Sequence, residues 1–194
     1  TEEEVEAIIR FFPEVLSTRD VYCSIYPIYP IQRLVCNAKV VSFIPLYVRL
    51  AIEFGSFPEE IRGGLFTVTP TLNKYGNSVF INLFQNNTVA YDRDHQELAV
   101  NDKYLLVMEQ LRQMGYLRKE DIQRYCLLQR LCCQRFFPEN QCRFLVEWDP
   151  TTLSIGLPEE LPLHHVTRSG STIRGFQVIF EYGILYYPIK KGIS

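Results

Sequence analysis

Between Tyr104 and Met114 the apolar residues Leu105, Met108 and Leu111 recur every three residues, with Leu106 and Val107 beside them, and Gly115 follows directly. That spacing predicts one face of a helix, and the glycine suits the left-handed residue that commonly closes one. A second face runs through Ile122, Tyr125, Cys126, Leu128 and Cys132, so a helix is expected over Lys119 to Gln134. Glu120 and Asp121 suit the positive end of its dipole. Phe136-Phe137-Pro138 closes it, because the residue before a proline avoids helical torsions.

The pattern also repeats. Ile8-Ile9-Arg10-Phe11-Phe12-Pro13-Glu14-Val15-Leu16-Ser17 aligns without gaps on Leu145-Val146-Glu147-Trp148-Asp149-Pro150-Thr151-Thr152-Leu153-Ser154, an apolar helix end halted by proline in both cases. Downstream, Tyr29-Pro30-Ile31-Gln32-Arg33-Leu34 parallels Leu161-Pro162-Leu163-His164-His165-Val166. Each block then leads to an apolar stretch ending in glycine, Leu50 to Gly55 and Val178 to Gly183, where the glycine is expected to close the helix. Helix ends thus fall at Phe12, Phe54, Met114, Trp148 and Tyr182, and the last two intervals come close to the ~33-residue period of stacked helical repeats. First helices at Pro30 to Cys36, Asn77 to Gln85, Lys119 to Gln134 and Pro162 to Arg168 complete four predicted pairs, near 28–54, 77–115, 119–148 and 161–183. The stretch Glu59 to Asn101 is the least regular, and Leu65-Phe66-Thr67-Val68-Thr69 within it alternates like a hairpin strand.

Composition narrows the classes. The 194 residues are 47% hydrophobic and 13% aromatic, enough for a substantial core, and disorder is not expected. A formal charge of -2 with 22% charged residues creates no strong field of one sign, so nucleic acid and anionic membrane gain no support as partners. No apolar run approaches the ~20 residues of a membrane span. Cysteines at 23, 36, 126, 132, 133 and 142 lack CxxC spacing and read as reduced thiols of an intracellular protein, cytoplasmic or nuclear. The whole of 1–194 reads as a single repeat domain, and the missing initiator Met suggests an excised segment of a longer chain.

Leu161-Pro162-Leu163-His164 resembles the threonine-proline-leucine-histidine turn that opens the first helix of an ankyrin repeat, and Gly170 and Gly183 follow near that family's glycine spacing. Leu161 replaces the threonine, His165-Val166-Thr167 replaces the small alanine-rich face, and the earlier block has Gln32 where histidine is expected. The resemblance implies an all-α, ankyrin-like solenoid of about four antiparallel helix pairs with long irregular loops. It further implies a monomeric scaffold that binds another protein, without catalysis, cofactor or metal. Ankyrin-type surfaces use connecting loops and the exposed side of first helices, which here nominates Tyr26, Tyr29, Arg33, Arg130, His165 and Arg168.

Two rival chemistries also have candidate residues in the sequence. A cysteine nucleophile would need a thiolate, an imidazole and a carboxylate within hydrogen-bond reach, and Cys142, His164, His165 and Asp149 are the candidates for a hydrolase. Arg124, Arg130, Arg135 and Arg143 with Tyr125 and Phe136 mix basic and aromatic character as an RNA-binding helical repeat would. Zinc is disfavoured because Cys126, Cys132, Cys133 and Cys142 lack paired spacing on turns. No phosphate-binding glycine motif occurs, and Asn86-Asn87-Thr88 is a glycosylation sequon of meaning only in a secreted chain.

Overall fold

The computed structural model describes residues 1–20, 27–68, 77–85, 97–134, 137–155, 160–168 and 173–188, with side chains from residue 102 onward in the stretch beginning at 97. These residues are mainly helical, as expected, and form two compact units, Thr1–Tyr116 and Leu117–Ser194. Among the described residues the extended pairings are two isolated antiparallel bridges, Asp20 with Ile28 and Val68 with Ser78.

The first unit opens with α1 (Glu2–Phe11), whose amino end is closed by a box in which Glu4 N–H donates to the Thr1 hydroxyl while the Thr1 ammonium meets the Glu4 carboxylate. Pro13 stops it, and the chain turns through a 3-10 segment, Pro13–Leu16. α2 (Pro30–Val35) and α3 (Ile44–Glu53) follow, then α4 (Val79–Gln85) and α5 (Glu97–Gln113). α3 packs against α1, α2 and α5, and α2 packs against α4. Contact on so many sides explains why α3 is apolar nearly all round, from Ile44 through Leu46, Tyr47, Val48 and Leu50 to Ala51. Two buried tyrosines in this core are bonded: Tyr47 donates its hydroxyl to the Leu16 carbonyl and Tyr104 donates to the Val35 carbonyl at 2.7 Å. Arg10 spans α1 and α3 by a fork onto Glu53 at 2.6 and 3.1 Å, and Arg49 returns from α3 to Glu6 at 2.7 Å.

The second unit contains α6 (Lys119–Arg124), α7 (Leu127–Cys132), α8 (Glu139–Trp148), a 3-10 turn (Pro150–Leu153), α9 (Pro162–Arg168) and α10 (Ile173–Tyr186). Its last four elements follow the order α1, 3-10 turn, α2, α3 of the first unit, which carries a further 3-10 segment, Val41–Phe43, between α2 and α3. In both, the second-helix element carries a cross-helix polar tie: Arg174 of α10 forks onto Glu139 of α8 at 2.8 Å, and Tyr182 donates to Glu147 at 2.6 Å. Asp149, wholly buried at the turn, accepts from Gln123 at 2.8 Å and from the Thr151 hydroxyl at 2.7 Å, with Lys119 at 3.3 Å. Burial alone would raise its pKa; those bonds outweigh burial and hold the carboxyl below its ordinary range.

Three local expectations are corrected. The helix over Lys119 to Gln134 breaks at Tyr125 and Cys126, where Cys126 takes φ 49°, a left-handed backbone that lets Ile122 on one segment and Leu127, Leu128 and Leu131 on the next all reach the core. Gly55 and Gly115 close their helices at φ 62° and 76°, but Gly183 lies buried inside α10, which runs on to Tyr186 and so brings Tyr187 to the Pro150 carbonyl at 3.2 Å. The strand expected at Leu65–Thr69 is reduced, where described, to the single bridge of Val68 with Ser78, because the chain enters it through turns in which Arg62, Gly63 and Gly64 take positive φ; Thr69 itself lies outside the described residues.

Two outcomes follow from the second unit. Asp149→Ala strands the Gln123 and Thr151 donors and should lower unfolding free energy by about 2 to 4 kcal/mol in urea titrations at neutral pH; a change within the scatter of surface substitutions would remove Asp149 from its role. Arg174, assisted by Arg143, depresses Glu139 from 4.5 to about 2. A depressed folded-state pKa adds stability that is complete above the unfolded value and lost as pH falls, so thermal stability should drop between pH 4.5 and about 2, and Glu139→Gln should shrink that drop.

Candidate functional site

The six nominated residues fall into two groups, one in each unit, with Tyr26 outside the described residues. In the first unit Tyr29 stands just before α2, where its N–H donates to Gln32 Oε1 at 2.7 Å. Its ring meets Phe57 edge-on at 5.2 Å, and the Arg19 guanidinium lies 4.6 Å from its centroid. Arg33, one turn along α2, is exposed and pairs with Asp20 at 2.8 Å. Asp20 is also one end of the bridge to Ile28, so backbone pairing and ion pair together place Arg19, Tyr29 and Arg33 on one aromatic and basic surface.

In the second unit α7 packs on α9, and this brings Arg130, His165 and Arg168 into one neighbourhood. Two residues that were not nominated complete it. Cys133, at the end of α7, lies 3.3 Å from His165 Nδ1; Glu160, just before α9, lies 3.7 Å from His165 Nε2 and 2.5 Å from Arg168. Arg130 turns its Nε to the Tyr125 carbonyl at 3.0 Å. His164 instead accepts the Leu161 N–H at 3.1 Å, a bond to local backbone of the kind its turn position implies.

The cysteine that lies against a histidine is therefore Cys133, not Cys142. Cys142 is a wholly buried free thiol that hydrogen-bonds with Cys132, and Asp149 is occupied by Lys119, Gln123 and Thr151. Thiol, imidazole and carboxylate stand in the order of a nucleophilic relay at Cys133, His165 and Glu160. The electrostatics run against it: burial first, then Cys132 and Glu160, push the Cys133 thiol up, and the nearby Arg130 and Arg168 offset this only in part. A thiol held protonated at neutral pH is a poor nucleophile.

Sequence reasoning missed Cys133 and Glu160 because the contact joins residues about thirty apart with no local signature. Among the described residues no group of three or more His, Cys, Asp or Glu side chains is placed to hold a metal ion. No helix there is long and apolar enough to cross a membrane. Several basic side chains are paired with acids: Arg33 with Asp20, Arg168 with Glu160, and Arg143 and Arg174 with Glu139. Comparison with family models, with curated proteins and with solved structures finds no match to this chain.

The raised Cys133 thiol has a measurable consequence. Site-resolved iodoacetamide labelling at neutral pH should modify Cys133 more slowly than in the urea-unfolded chain, despite its exposure. Removing the negative charge with Glu160→Gln should speed it; equal or slower labelling in that variant would contradict the electrostatic assignment.

Proposed function

We propose that this chain is an ankyrin-like helical-repeat scaffold that binds another protein and has no catalytic turnover. The observation that carries the reading is the recurrence of α1, turn, α2, α3 as α8, turn, α9, α10, since stacked repeats build extended surfaces in place of enclosed pockets. The turn histidine His164, bonded to the backbone of Leu161, supports the ankyrin likeness in particular. The binding residues in this reading are Tyr29 and Arg33 in one unit and Arg130, His165 and Arg168 in the other, with Tyr26, which lies outside the described residues, as a further candidate. Tyrosine and arginine are frequent anchors of such surfaces. The free thiols Cys36, Cys126, Cys132, Cys133 and Cys142 suit a reducing, intracellular setting.

A protein partner is favoured over RNA because, of the arginines that would meet phosphates, Arg143 is already paired with Glu139 and Arg130 donates to the Tyr125 carbonyl. One observation favours a second reading: the 3.3 Å approach of Cys133 to His165 is the geometry of a cysteine hydrolase. The upward shift of the thiol makes it the weaker of the two.

The test is affinity capture with the wild-type chain and with Arg33, Arg130 and Arg168 changed together to alanine. Partner recovery should fall about ten-fold or more in a variant of unchanged helix content, as loss of interface arginines implies. Equal recovery would reject this surface. Covalent trapping of Cys133 by an electrophilic ester at neutral pH, lost in His165→Ala, would favour the hydrolase.

A further inference from the structure

Several arginines of this chain lie over an aromatic ring and also meet an acceptor within the fold. Arg10 stands 5.9 Å from the Phe54 centroid and forks onto Glu53. Arg62 stands 4.7 Å from Phe66 and donates to the Tyr116 carbonyl, and Arg143 stands 5.6 Å from Tyr182 and pairs with Glu139. Arg19 is placed differently. Its guanidinium lies 4.6 Å from the Tyr29 centroid, nearer than any of those three, yet among the described residues no carboxylate or carbonyl accepts from it, and the residue is exposed.

The ring beneath Arg19 is fixed by the fold. Tyr29 N–H donates to Gln32 Oε1 at 2.7 Å, Pro30 follows in the first turn of α2, and Phe57 meets the ring edge-on at 5.2 Å. The backbone beside Arg19 is held as well, because Asp20 N–H donates to the Ile28 carbonyl at 2.9 Å. Both halves of the stack are therefore set before a ligand arrives, which lowers the ordering cost of binding. A guanidinium lying on a ring keeps its N–H donors at its edge, where they form a planar fork that suits a carboxylate.

Charge favours an acidic ligand and limits how acidic it is. Asp20, the carboxylate next in sequence, pairs with Arg33 at 2.8 Å, so the surface formed by Arg19, Asp20 and Arg33 keeps one positive charge in excess. Because Asp20 remains beside the fork, a singly charged carboxylate meets less repulsion there than a doubly charged phosphate. The rings of Tyr29 and Phe57, both partly exposed, add apolar area on which a peptide can lie.

We propose that Arg19, held on Tyr29, anchors an acidic segment of the partner protein by taking a glutamate or aspartate carboxylate in its fork. The inference rests on the scaffold reading and names the chemistry of its partner. Arg19 carries no signal of this in the sequence, since the stack joins two separate segments of the chain.

NMR titration of the isotope-labelled chain with a hexaglutamate peptide tests it. The Arg19 Nε–H signal and the backbone amides of Asp20 and Tyr29 should shift saturably, with a Kd of about 10 µM to 1 mM as befits one charged anchor. Hexaglutamine should move none of them. Arg19→Ala should weaken binding about ten-fold or more, and Arg19→Lys, which keeps the charge but loses the fork, about three-fold. Should Arg19→Ala lose helix content, Arg19→Gln replaces it as the uncharged variant. The proposal is overturned if hexaglutamate leaves the Arg19 signal unmoved, if the uncharged variant binds as the wild type does, or if a phosphoserine peptide moves that signal and hexaglutamate does not. Partner capture that is unchanged by Arg19→Ala would leave the scaffold standing without its acidic contact. Hexaglutamate binding at Arg19 alongside unchanged capture by the Arg33, Arg130 and Arg168 variant would keep the acidic contact and reject that wider surface.

Discussion

A helix stopped by proline must turn at once and bury whatever apolar residue follows, and both blocks of this chain are built on that constraint. At Pro13 the chain winds into a 3-10 turn that drives Leu16 wholly out of solvent, and at Pro150 the same turn buries Leu153. Such a turn leaves carbonyls to be satisfied. A tyrosine on or directly after the last helix of the block meets that need in each case, Tyr47 at the Leu16 carbonyl and Tyr187 at the Pro150 carbonyl. The turn therefore ties together the helix before it and the helix pair after it.

Around that shared device the blocks differ in polarity. Asp149 occupies the position of Phe12 in the alignment, and buries a carboxylate bonded to Gln123, Thr151 and Lys119 where the first block leaves an aromatic ring half in water. The charges along the first helix are exchanged as well: Glu6 and Arg10 in α1 correspond to Arg143 and Glu147 in α8. Cross-helix ties survive this exchange, by Arg10 to Glu53 in one and Tyr182 to Glu147 in the other. What is held constant is the packing of the elements, not the chemistry of any one contact.

Much of this was legible in the sequence because proline, glycine and apolar spacing act locally. The stops at Pro13 and Pro150 and the closures at Gly55 and Gly115 follow from such local rules. The break at Cys126 was hidden, since neither glycine nor proline marks it and the left-handed residue is a cysteine fixed by packing on both sides. Gly183 misled for the opposite reason: its local signal says stop, but the helix gains by bringing Tyr187 to the turn. The Cys133, His165 and Glu160 cluster and the Arg33 to Asp20 pair depend on how segments meet, which spacing along one segment does not encode.

The claim that the proline turn holds its block together is tested most directly by hydrogen exchange on Tyr47→Phe, which removes one hydroxyl and leaves the Leu16 carbonyl without its donor. The account predicts that amide protection falls by about ten-fold or more through the turn Pro13–Leu16, α2 and α3 alike, as loss of a buried hydrogen bond at a shared junction requires. Protection lost in the turn alone, with α2 and α3 unchanged, would contradict it.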